Sequence, residues 1–179
     1  MIDPVTLHRI WFALLFALLS ALVIFVRLLP FGTLPGALPP PDLIVLLGFA
    51  WVIRRPDFVP VLLFAAVLLV ADLLFLRPPG LYSGMAVLGL ETLRRRAKAL
   101  SEQSFLAEWV TVGVVLLAMM LGARALSALF FVPRAPFGLE ALAVVSNVLA
   151  WPAVVAFSVW VLRVRRLAPG EHAAEARLT

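Results

Sequence analysis

Six apolar runs, set apart by charged or proline-rich breaks, occupy most of this chain: Ile10 to Leu29, Leu43 to Ile53, Phe58 to Leu76, Leu81 to Leu93, Leu106 to Phe131 and Leu139 to Leu162. A small water-soluble domain could not bury them all. Of the 179 residues 64% are hydrophobic and 14% charged, whereas a soluble domain is roughly half apolar and about one quarter charged. One spanning helix takes about 20 residues, so the runs predict an all-α membrane protein of six transmembrane helices, folded as a single membrane domain over residues 1–179.

The runs are unequal. The second has 11 residues and the fourth 13, which as helices reach only about 16 to 20 Å against a hydrocarbon core of about 30 Å. Both are expected to be short helices or to be extended by flanking residues. The connection Pro30 to Pro41, PFGTLPGALPPP, forbids a regular helix yet remains oily, and is expected to lie against the outer membrane surface or fold back over the helices. Pro41 precedes the short second run, and Asp42 stands where an N-cap belongs. The first run is too long for a signal-peptide core and has no cleavage site after it, so it reads as a retained helix.

The chemistry available is narrow. There is no cysteine, and His8 and His172 fall in the terminal tails, so neither a disulfide nor a zinc or haem site is expected. No Walker loop, GxSxG elbow or HExxH pair occurs. We therefore expect no enzyme, no cofactor and no metal. The net charge of +5, in a chain of this hydropathy, speaks for membrane topology rather than nucleic acid.

With six spans, the 15 basic residues divide by side. Arg9, Arg54, Arg55, Arg94, Arg95, Arg96, Lys98, Arg163, Arg165, Arg166 and Arg177 fall on one side, and Arg27, Arg77, Arg124 and Arg134 on the other. The positive-inside rule puts the richer side, with both termini, in the cytoplasm of a bacterial inner membrane. Trp11, Trp51, Trp109 and Trp160 lie at span ends on that side, as an interfacial belt would. The segment Arg94 to Phe105 has no glycine or proline and could continue the fourth helix as an amphipathic surface segment touching anionic lipid or a cytoplasmic partner.

Ionisable groups within spans are costly and single out Asp72, Arg27 and Arg124, all in the outer half. A pairing of Asp72 with Arg27 or Arg124 would either fix helices together or line an outward-open cavity. Glu91 can reach Arg94 and Arg95 on one helical face, and Glu108 suits the start of the fifth helix. In the sixth run, Asn147 and Trp151 share a face and Pro152 removes a backbone donor. The buried amide requires a partner from another helix, and Trp151 is too deep for the belt, so it must pack within the bundle or against a partner.

Two stretches carry a family resemblance. In Pro41 to Gly84, Pro41 opens the short helix, Asp72-Leu73-Leu74 closes the third, and Gly80 stands eight residues after the aspartate; the second stretch is NVLAWP, Asn147 to Pro152, followed by VLRVRR. Together they resemble MreD, the rod-shape determining membrane protein of the bacterial cell-elongation machinery. Phe75 to Pro79 departs from the Ser/Gly-rich turn common in that family. The resemblance implies a non-enzymatic scaffold that binds the single-span protein MreC. MreB, RodA and a penicillin-binding transpeptidase would work beside it in lateral peptidoglycan synthesis and cell shape. It also implies a six-helix fold similar to the S-components of energy-coupling-factor vitamin transporters, with a cavity open to the periplasm. A small-solute (vitamin) binding or transport protein of that fold is the competing reading. Membrane lipid is an expected neighbour, and self-association is left open.

Overall fold

The computed structural model describes residues 4–29, 39–162 and 164. Residues 30–38 of the proline-rich connection, the basic tail apart from Val164, and His172 lie outside the described residues. The elements run α1 (Pro4–Leu28), α2 (Leu43–Arg54), a 3-10 turn (Pro56–Phe58), α3 (Val61–Leu74), α4 (Leu81–Glu102), α5 (Phe105–Leu129) and α6 (Phe137–Trp160). The described residues are thus all-helical, and Thr6–Leu28, Phe105–Leu129 and Phe137–Trp160 are long and apolar enough to cross a membrane.

The architecture is organised around α2. Every residue from Ile44 to Arg54 is buried, the pattern of a helix apolar all round. It packs against α4 and α6, and α5 joins those two, so that α2, α4, α5 and α6 close a ring. Outside the ring, α3 lies on α4, and α1 covers α3 and α2. Close approach within the ring needs small residues. A Cβ at Gly89 of α4 would stand 2.9 Å from both Phe49 of α2 and Met119 of α5.

Successive helices alternate direction, which leaves two charged ends. At the first, Arg54 and Glu108 form an ion pair of 3.1 Å with side chains 3% and 0% exposed. Arg9 meets Asp57 there, and Arg94 meets Glu91. Arg94 also donates to the carbonyls of Pro56 and Val59, tying α4 to the 3-10 turn. His8, within α1, packs edge-on against Phe12 and Phe58, which stack on each other at 4.1 Å. It therefore belongs to a packed helix and not to a tail. At the other end lie Arg27, Asp42, Arg77, Arg124, Arg134 and Glu140.

Helix lengths differ from expectation in the third and fourth elements. Pro60 stands at the N-cap of α3 and Phe75 at its C-cap, so α3 has 14 residues where an apolar run of Phe58 to Leu76 suggested a longer helix. Its end is a left-handed cap: Leu76 takes φ 54°, and the Arg77 N–H bonds the Asp72 carbonyl. The fourth helix does continue through the basic segment as envisaged, with Leu93, Ala97 and Leu100 on its buried face.

Two tryptophans depart from the belt. Trp51 is 0% exposed, its ring meeting Phe12 and Phe16 edge-on, because α2 is surrounded by other helices instead of facing the interface. Trp109 is half-buried and its indole N–H donates to the Val148 carbonyl at 2.8 Å. That carbonyl is the one Pro152 leaves without its helical donor. Trp11 and Trp160 are exposed, as a belt position requires.

Candidate functional site

The shortness of α2 creates a cavity. Twelve residues span about 18 Å, against about 36 Å for the 24 residues of α6. At the Arg54 end, α2 is level with the first turn of α5, where Glu108 sits. At its opposite end the Asp42 N–H donates to Asn147 Oδ1 at 2.7 Å. Asn147 lies ten residues into α6, about 15 Å below that helix's start. Above α2 the ring therefore encloses no helix, and a cavity of about 560 Å³ remains there.

Its floor and walls are apolar, with Leu116, Met119, Met120 and Ala123 from α5 and Val144 from α6. Its mouth is charged. Arg77 lies 3.6 Å from Asp42, and its guanidinium sits over the rings of Phe75 and Tyr82 at 5.2 and 5.0 Å. Arg27 donates to the Pro41 carbonyl and lies 5.9 Å from the centroid of the same Phe75 ring. Across the cavity, Glu140 accepts from Arg124 at 2.8 Å and from Arg134 at 2.6 Å. One carboxyl thus joins α5, the α5–α6 connection and α6.

Apart from Arg124, held by Glu140, the residues singled out in the sequence fall into three groups. Arg27, Pro41, Asp42 and Asn147 gather at the inner rim of the cavity, where Asn147 and Asp42 together hold the N-terminus of α2: the Asp42 side chain accepts from the Val45 N–H. Asp72 meets neither Arg27 nor Arg124. It is 0% exposed and accepts from the Ser83 N–H at 3.2 Å. Gly80, the N-cap of α4, has φ 87° and no side chain to offer, so Asp72 caps α4 from the neighbouring helix. The eight-residue interval between Asp72 and Gly80 is a device for starting α4.

Trp151 and Pro152 form the third group, deeper in α6. Trp151 is 0% exposed, so its packing lies within the bundle. Sequence reasoning missed Arg77, Tyr82, Arg134 and Glu140 as cavity residues, since they come from two connections and two helix starts. The only signal was that Arg77 and Arg134 each follow the end of a long apolar run. It also missed how closely Glu108 and Arg54 are buried together, because their contact joins helices 54 residues apart.

Comparison of the chain with known protein families, curated proteins and solved structures returns no match. Among the described residues the fold defines a class: an apolar, all-helical bundle with three helices of membrane-spanning length and a charged-mouthed cavity at the Asp42 end.

Proposed function

We propose that the chain is an MreD-type scaffold of the bacterial cell-elongation complex. It resides in the inner membrane with six helices spanning it, both termini cytoplasmic and the Asp42 end facing the periplasm. It has no catalytic role. It binds MreC and supports lateral peptidoglycan synthesis beside MreB, RodA and a penicillin-binding transpeptidase.

The observation that carries this reading is that the residues quoted for the resemblance do joined structural work. Pro41 and Asp42 open a short, wholly enclosed α2, Asn147 holds its first N–H, and Asp72 starts α4 behind Gly80. The short α2 and α3, together with the 22-residue α4, cross the bilayer as part of the enclosed bundle, where irregular backbone near their ends is shielded by protein or lines the cavity. Read as six spans, the sequence sets 11 basic residues on the side of Arg54 and four on the other, which supports the orientation. In a rod-shaped host, depletion of the protein is expected to give rounded cells; persistent rods would contradict the proposal.

The cavity favours one second reading, an S-component-like protein that binds a small vitamin-like solute, since about 560 Å³ is within the roughly 300–1,000 Å³ of ligand pockets. That reading requires saturable binding of such a solute to the purified chain.

A further inference from the structure

The two kinds of surface in the cavity specify a ligand that has both. The Asp42 end of the molecule carries four arginines, Arg27, Arg77, Arg124 and Arg134, against Asp42 and Glu140 at the mouth. Even with the buried Asp72 counted, one positive charge is left over. Arg124 and Arg134 share Glu140, whereas Arg77 meets Asp42 and Arg27 meets a carbonyl and a ring, so at the inner rim too two guanidiniums face a single carboxylate. Both guanidiniums approach the Phe75 ring, and they contact adjacent residues, Arg27 the Pro41 carbonyl and Arg77 the Asp42 carboxylate, so the two converge on one stretch of the rim. A pair of this kind fits a phosphate group, which accepts several charge-assisted hydrogen bonds. The same cavity is lined by Met119 and Met120 of α5, an apolar surface that disfavours a hydrated anion and favours a hydrocarbon chain.

We propose that this cavity is a binding site for an anionic membrane lipid, with its phosphate on Arg27 and Arg77 and the adjoining chain segment against Met119 and Met120. The site follows from the cavity itself and does not depend on the MreD reading. An MreD-type scaffold and a solute carrier could each hold such a lipid.

The test uses the full chain, purified in detergent and delipidated, with binding read by native mass spectrometry. The titrants are phosphatidylglycerol, zwitterionic phosphatidylcholine and inorganic phosphate. The expected result is one tightly held phosphatidylglycerol, at least tenfold weaker phosphatidylcholine, and no competition from phosphate at millimolar concentration. R27Q/R77Q should weaken phosphatidylglycerol about tenfold or more, while R95Q/R96Q at the opposite end leaves it unchanged. L139W narrows the mouth from a position 53% exposed, and should weaken lipid binding without lowering thermal stability, so the site remains testable even if the double arginine variant does not fold. Equal affinity for the two lipids, an equal loss in R95Q/R96Q, or saturation of the site by phosphate alone would each overturn the proposal.

Discussion

At the scale of single residues, Trp109 and Asp72 place polar atoms within this apolar bundle where they close backbone gaps. Pro152 deprives the Val148 carbonyl of its donor, and Trp109 of α5 supplies one at 2.8 Å. An acceptor left unsatisfied in such surroundings costs about 1–3 kcal/mol. Trp109→Phe is therefore expected to destabilise the protein by about 1–2 kcal/mol in thermal or denaturant unfolding in detergent. In the background of Pro152→Ala, which restores the helical N–H, the same change should cost far less. Equal penalties in both backgrounds would show that the indole acts by packing alone. Asp72 invites a graded series. Asp72→Asn keeps an acceptor for Ser83 and should cost about 0.5–1 kcal/mol through loss of charge near a helix start. Asp72→Leu strands that N–H and should cost about 1–3 kcal/mol.

Between elements, the buried Arg54–Glu108 pair fixes the α2–α5 register at the end opposite the cavity. Glu108→Gln leaves a guanidinium buried with its countercharge gone and is expected to cost about 3 kcal/mol or more, whereas Arg54→Met with Glu108→Met should be close to neutral. Measured unfolding free energies that rank these variants the other way would contradict the assignment. This scale also shows what could be read in advance. The 11-residue run Leu43 to Ile53 announced a short helix, and its uniform apolarity is matched by burial on every side. The lengths of α3 and α4 were less legible. Pro60 starts α3 late, and α4 runs on through three arginines because Leu93, Ala97 and Leu100 keep one face packed. Trp51 and Trp109 were read as belt residues since span-end tryptophans look alike in sequence. Their true partners, Phe16 and the Val148 carbonyl, lie on other helices.

For the whole molecule, the cavity was legible only as one of two readings of the intramembrane charges and as an expectation attached to a resemblance, because it arises from a difference in length. A 12-residue α2 enclosed by longer helices stops about 15 Å short of the start of α6, and the charged rim is assembled from α1, two connections and the start of α6. Sequence periodicity carries no information about where separate helices end relative to one another. In the proposed scaffold a buried ion pair locks the Arg54 end and the cavity occupies the Asp42 end. The most direct test of that claim is mild solubilisation of host membranes and affinity isolation of the tagged chain, with quantification of what remains bound. An MreD-type scaffold should retain near-stoichiometric MreC, a single-span partner. Isolation of the chain free of MreC, together with saturable binding of a vitamin-like solute, would contradict it.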